Sequence, residues 1–243
     1  MNVRNYQKEL DKLIEKIELD GVRPKLLLHV CCAPCSSYCL SYLAKYFDII
    51  TDFYNPNIAP KEEFDKRAAE FERFVRELTC NGACPQGGQA RLGTGTIHKT
   101  FTESSQMGTG TEPQIQVNIA EYESEKFYEI AKGLETIPEG GERCFKCYRL
   151  RMEHAAKAAK EIGADYFTTT LSISPLKNAA KINEIGEELA TIYGVEHLPS
   201  DFKKKEGYKR SIELSREYNL YRQNYCGCVY SKRDKEEKNE EFT

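Results

Sequence analysis

Ten cysteines in a chain of 243 residues are unevenly spread. Four fall within nine residues, in "CCAPCSSYC": Cys31, Cys32, Cys35 and Cys39. "ERCFKC" adds Cys144 and Cys147 at C-x2-C spacing, and "YCGCVY" adds Cys226 and Cys228 at C-x-C spacing. Thiolates bind metals and carry redox chemistry. A single C-x2-C says little, because zinc knuckles and redox pairs share it. Three cysteine motifs in one chain say more. Four thiols complete a tetrahedral zinc site or ligate one cubane cluster. The seven thiols of Cys31, Cys32, Cys35, Cys144, Cys147, Cys226 and Cys228 exceed one such site. If the backbone is extended at Cys31 and Cys32, their side chains point to opposite sides, which assigns them to two neighbouring centres. Cys39 falls on a helix and reads as core. The plainer alternative is one zinc site with spare buried thiols.

The elements that must position these thiols follow from periodicity. "KLLLHV" (25–30) is a short apolar run and reads as a buried strand. Residues 48–57, 115–122 and 164–171 read as further strands. Helical spacing covers 37–47, 61–78, 124–135, 144–162, 175–194 and 207–220, with Pro175 near one helix start and Gly163 past the end of another. Strands alternating with helices imply an α/β fold, a parallel sheet with helices on both faces. Sites in such folds gather where strands end and helices begin. Cys31, Cys32 and Cys35 stand at such a point, and Cys144 and Cys147 open a helix whose positive end favours thiolate. Gly227 lets the chain turn tightly between Cys226 and Cys228.

The organisation reads as one catalytic domain over 1–243, with an N-terminal helix in 1–24, an inserted Gly/Thr-rich loop at 80–114 and a charged tail at 231–243. Seven of the 16 glycines lie in 80–114, where Cys80 and Cys84 are expected to be free or loosely paired. No stretch approaches the roughly 20 apolar residues that span a bilayer. The start "MNVRNYQKEL" lacks an apolar signal core. No membrane association and a cytoplasmic location are therefore expected, where thiols stay reduced. The net charge of −3 confines any nucleic-acid site to a local patch.

Other residues beside the motifs can do chemistry. Tyr148 follows Cys147 and Tyr225 precedes Cys226, so either phenol could donate a proton. Asp201 could orient a ligand or accept a proton. Arg149, Ser174, Lys177, Lys203 and Arg222 are candidates for contacts to phosphates and hydroxyls of any nucleic acid, with Lys204 and Lys205 extending the basic run. For a charge run taken alone, a solvated surface is the usual case.

Taken together and in order, "LLLHVCCAPCS", "YNPNIAPKEEFDKR", "ERCFKCYRLRM", "FTTTLSISPLKN", "DFKKKEG" and "YRQNYCGCVYS" resemble the cobalamin-independent epoxyqueuosine reductase family, QueH. The resemblance covers roughly 25–78 and 115–231, and no counterpart to 80–114 is recognised. It implies a fold related to the adenine-nucleotide-binding, ATP-pyrophosphatase-like (HUP) domains. It implies a 4Fe-4S cluster with an adjacent mononuclear iron, a tRNA carrying epoxyqueuosine as substrate, and a low-potential electron donor. The implied reaction reduces an epoxide to an alkene. Two other classes compete: an ATP-dependent tRNA sulfur-transfer enzyme of the same fold class and a zinc-stabilised binding module. Against the first, the opening strand ends in cysteines, where an S-G-G-x-D-S loop would be needed.

Overall fold

The computed structural model describes residues 4–80 and 115–240, with the side chains of 237–240 left aside. Five strands, β1 (Lys25–His29), β2 (Asp48–Phe53), β3 (Ile115–Ile119), β4 (Tyr166–Thr169) and β5 (Glu196–His197), form one sheet in the order β3-β2-β1-β4-β5. Every pairing is parallel. Eight helices connect and flank them: α1 (Tyr6–Asp20), α2 (Ala33–Leu43), α3 (Lys61–Cys80), α4 (Ser124–Ala131), α5 (Glu142–Glu161), α6 (Ala179–Tyr193), α7 (Gly207–Glu217) and α8 (Val229–Glu240). None is long and apolar enough to cross a membrane.

The side-chain alternation of β1 decides the layering. Leu26 and Leu28 pack on one face with Leu10 and Ile14 of α1, Leu40 of α2 and Phe71 of α3. Leu27 packs on the other with Met152 and Ala156 of α5 and Ile182 and Leu189 of α6. Helices cover both faces of the sheet, which is why β1 is apolar throughout its middle.

Several boundaries differ from the sequence reading. The helix after β1 begins at Ala33, not 37, because Cys32 is the extended N-cap residue and Pro34 occupies the first turn. Cys35 therefore belongs to the helix. β4 stops at Thr169 because a 3-10 turn, Thr170–Ile173, follows, with Thr169 Oγ1 accepting from the Leu171 N–H at 3.1 Å. Pro175 lies upstream of α6, whose N-cap is Asn178, its Oδ1 accepting from Lys181 N–H at 3.1 Å. β5 is two residues long and carries too little pattern to be read. Residues 231–240, read as a charged tail, belong to α8, where Ser231 is buried. Cys80 ends α3 and is exposed; Cys84 and the rest of the 80–114 loop lie outside the described residues.

Candidate metal centre and substrate cavity

The chain order reverses at β1, which lies between β2 and β4. In open parallel sheets the crevice at such a switch point, beyond the carboxyl ends of the strands, is where ligands bind. Here the residues after β1 supply Cys31, Cys32 and Cys35, and those after β4 supply Thr170–Lys177. The two segments are tied across the crevice. Cys31 N–H donates to Thr170 Oγ1 at 3.2 Å, and that hydroxyl lies 3.4 Å from Cys31 Sγ as donor. His29 Nε2 donates to the Tyr54 carbonyl at 3.1 Å, so its Nδ1 accepts from Thr169 Oγ1 at 2.7 Å. Burial first, then the charge of Arg151, depresses His29 to about 4, leaving it neutral.

Cys31, Cys32 and Cys35 form the group of three metal-ligand side chains whose sulfurs all lie within 4.8 Å of one another. The sulfurs of Cys31 and Cys32 are 4.0 Å apart. This corrects the expectation that these neighbours face opposite sides. β1 has ended by His29, and the backbone bends at Cys31 before the helix N-cap, so strand alternation no longer applies. Hydrogen bonds from Cys32 and Cys35 hold the Cys31 thiol well below its ordinary value, aided by Lys177 and Arg151. The same bonds push Cys32 up to about 12 and Cys35 well up. Among the three, negative charge is thus favoured on Cys31.

The other four thiols form a second group. Cys144 and Cys147, one turn apart on α5, line a narrow cavity together with Cys226 and Cys228. Gly140 N–H donates to Cys144 Sγ at 3.3 Å, and Ser231 N–H donates to Cys228 Sγ at 3.3 Å. Burial raises Cys144, pushes Cys147 up to about 11 and Cys228 up to about 12. Cys226, Lys177 and Glu139 line this cavity and also the larger one over Cys31, Cys32 and Cys35, so they form the wall between the two thiol groups.

The larger cavity holds about 500 Å³, within the ordinary range for a small-molecule site. Its walls carry four cations, Arg67, Arg151, Lys177 and Arg222, against one carboxylate, Glu139. Sequence reasoning missed Arg67, Arg151 and Glu139. Arg151 is 1% exposed and donates from Nη1 to Asn55 Oδ1 at 3.0 Å and Asn57 Oδ1 at 2.9 Å. Arg67 pairs with Glu63 at 2.7 Å and donates to the Cys226 carbonyl at 3.1 Å. Both guanidinium groups rise against the effect of burial, Arg151 through Cys147, Cys226 and Cys31, and Arg67 first through Cys32. Lys177 likewise rises against burial through Cys226, Cys31 and Cys35. The only early signal was placement: Asn55, Asn57, Arg67 and Arg151 fall inside the quoted motifs, but nothing in spacing sends them to the thiols.

Of the sequence candidates, Ser174, Lys177, Arg222 and Tyr225 line the larger cavity and Tyr148 lines the four-thiol cavity. Burial raises the phenols of Tyr148 and Tyr225. Arg149 lines neither; it is exposed and pairs with Glu188 of α6 at 2.5 Å. Lys203 sits 3.1 Å from Asp201 Oδ1, an ion pair without hydrogen-bond alignment, and donates to the Lys177 carbonyl at 3.5 Å. Lys205 pairs with Asp11 of α1 at 2.7 Å. Two lysines of the basic run are thus engaged within the chain.

Do the residues fit a metal group? Buried guanidinium nitrogens of Arg67, Arg143 and Arg151 have no hydrogen-bond partner among the described residues, and all three side chains line a thiol cavity. An anionic, sulfur-ligated group supplies the charge and acceptors that such donors require. The donor set fits.

A parallel α/β sheet with a thiol triad at its switch point defines a class of α/β protein whose crevice is suited to a metal. The comparisons narrow it. The sequence profile of the epoxyqueuosine reductase QueH family matches residues 26–89 and 97–234. The chain is 45% identical over 229 residues to the epoxyqueuosine reductase QueH of Staphylococcus epidermidis, covering 93% of this chain and 84% of that protein. It is 39% identical to that of Streptococcus pyogenes, covering 93% and 78%, and 31% identical to that of Thermotoga maritima, covering 90% and 95%. The chain belongs to the QueH family, an oxidoreductase family. The match also corrects the reading of 80–114 as a segment without counterpart, since only 90–96 falls outside it.

Proposed function

We propose that the chain reduces epoxyqueuosine at the wobble position of a tRNA to queuosine. The observation that carries this reading is the placing of a thiol triad and a four-thiol group against one cationic cavity, in a chain of this family. The reaction breaks both C–O bonds of the epoxide, forms a C=C bond, takes up two electrons and two protons, and releases water. The electrons come from a low-potential donor. Cys144, Cys147, Cys226 and Cys228 would hold a 4Fe-4S cluster, and Cys31, Cys32 and Cys35 an adjacent mononuclear iron. When bound, these groups supply single electrons at low potential and a Lewis-acid position.

The chain's own residues do the rest. Arg67 and Arg151, both buried, and Lys177 balance the negative charge of the thiolates. Tyr225 lines the substrate cavity and can hold a proton at its phenol oxygen, while Tyr148 holds one on the four-thiol side. Ser174 and Arg222 face the cavity with groups suited to hydroxyls and phosphate. Asp201 acts at one remove, by fixing Lys203. Arg149 and Lys203 are left for the RNA beyond the cavity. We also read the strand order as that of HUP domains, the nucleotide's usual crevice here being given over to Cys31, Cys32 and Cys35, and residues 1–243 as one catalytic domain working in the cytoplasm.

The test is turnover by anaerobic, iron-loaded protein. With dithionite and without ATP or cobalamin, epoxyqueuosine in RNA should lose one oxygen, detected by mass after digestion. Stoichiometric zinc without sulfide, or no oxygen loss by reducible iron-loaded protein, would sink the assignment.

A further inference from the structure

Two aromatic rings line the 500 Å³ cavity, Tyr208 and Tyr225. They are not equivalent. The Tyr225 ring is occupied by the Arg67 guanidinium, whose Cζ lies 5.1 Å from the ring centroid. Tyr208 has the Arg222 guanidinium over its ring at a longer 6.0 Å from the centroid and is 36% exposed, whereas Tyr225 is half-buried. Leu176, 58% exposed, also lines this cavity. These are the two large exposed hydrophobic side chains, among the described residues, that border it. At the floor lie Cys31, Cys32 and Cys35.

The backbone under Tyr208 is held firmly. It opens α7 immediately after Gly207, where an added Cβ would overlap the Phe202 carbonyl and come 2.6 Å from Tyr38 Cε1. Its carbonyl accepts from Ser211 Oγ at 2.7 Å. Arg222 is anchored in turn, donating to Ser215 Oγ at 3.2 Å. A pre-placed, solvent-exposed ring with an anchored guanidinium 6.0 Å from its centroid, on a wall with four cations and one carboxylate, suits a planar base attached to phosphates.

We propose that Tyr208 is the stacking platform for the nucleobase that carries the reacting group, with Arg222 beside it. This rests on the reading of the cavity as the site of RNA reduction and deepens it. The thiol floor fixes where the epoxide must lie, and the base, being the attachment point of that substituent, comes to the rim. Tyr225, half-buried and with Arg67 closer over its ring at 5.1 Å, does not take this role.

The test uses full-length, iron-loaded protein under anaerobic conditions. Binding of an anticodon stem-loop RNA with queuosine at the wobble position is measured by fluorescence anisotropy and compared with the same RNA abasic there. Tyr208→Ala should weaken binding of the queuosine RNA by roughly 10-fold, the scale of one base–aromatic stack. Tyr208→Phe should stay within about two-fold, because it keeps the π face. On abasic RNA the Tyr208→Ala and unchanged proteins should bind alike. In turnover, Tyr208→Ala should raise KM more than it lowers kcat. Unaltered affinity of Tyr208→Ala for the queuosine RNA, or an equal loss on both RNAs, overturns the platform. Tyr208→Leu, which keeps apolar bulk, supplies the same cycle if the alanine variant does not fold. If the unchanged protein neither turns over epoxyqueuosine RNA nor distinguishes queuosine from abasic RNA, the functional reading itself falls. Turnover and discrimination without a Tyr208 effect refute only the platform.

Discussion

His197 gives the sharpest test of the packing behind the site. It ends β5, is 8% exposed, and packs at 5.3 Å against the Phe167 ring. Neither ring nitrogen has a hydrogen-bond partner. Burial depresses it from 6.5 to about 3, so the fold accepts only the neutral ring. The unfolded chain takes up a proton near 6.5, and the folded chain does not. His197 therefore costs nothing above that pH and draws the protein toward unfolding as pH falls through the window from 6.5 to about 3. One pKa unit corresponds to about 1.4 kcal/mol, so the loss between about pH 7.5 and about pH 5.5 is roughly 1.4 kcal/mol. Anaerobic urea unfolding at these two pH values, on the unchanged protein and on His197→Leu, isolates the effect, since every other group is common to both. The unchanged protein should lose about 1.4 kcal/mol more than the variant. Equal losses would refute the reasoning. Gly186 supplies an independent arm. A Cβ there would overlap the imidazole, 2.5 Å from Cε1, on a ring that is buried and packs on Phe167. Gly186→Ala should cost about 1–3 kcal/mol, and most of that should vanish in a His197→Ala background.

Three other outcomes are expected. Changing Cys144, Cys147, Cys226 or Cys228 to Ala should remove most visible cluster absorbance and sulfide, whereas Cys31→Ala or Cys35→Ala should keep most of both yet stop turnover; the reverse pattern refutes the division into two thiol groups. Gly227 has φ +120°, and a Cβ there would lie 2.9 Å from Arg67 Nη1 and from Ile58 Cγ1, so Gly227→Ala should cost about 1–3 kcal/mol in urea unfolding and lower iron content. Arg67→Met leaves the largely buried Glu63 without its cation, with the Tyr221 hydroxyl still donating to it at 3.3 Å, and should cost about 3–5 kcal/mol, while Lys205→Ala, which breaks a pair with a well-exposed lysine, should cost under about 1 kcal/mol.

Local patterning carried the alternation of strands and helices, the parallel sheet, and the placing of Cys31–Cys35 and Cys144–Cys147 at helix starts, because each depends on neighbours a few residues away. Element ends were less legible. Cys32 as an N-cap and Thr169 closing a 3-10 turn are choices between competing hydrogen bonds. Helix α8 has few apolar residues, and long-range contacts tie it to the fold: Ser231 accepts from Cys226 N–H at 3.1 Å and donates to Glu139 at 3.0 Å, and the Tyr230 ring packs on Phe127 and under Arg143.

The seven thiols could be counted in the sequence, but their grouping could not. Cys31 and Cys32 converge because the chain turns between strand and helix, and Cys226 stands between two groups because the later chain returns to the start of α3, where Arg67 donates to the Cys226 carbonyl and Ala59 N–H to the Gly227 carbonyl. Lys203 and Lys205 read in sequence as part of a basic run open to phosphates, and the fold sets Asp201 and Asp11 beside them. Arg67 and Arg151 look in sequence like ordinary helix-surface cations, and only the tertiary fold turns them inward. Burial beside thiols is then what gives their charges a function, since a charge in water is screened and one in a dry site is not.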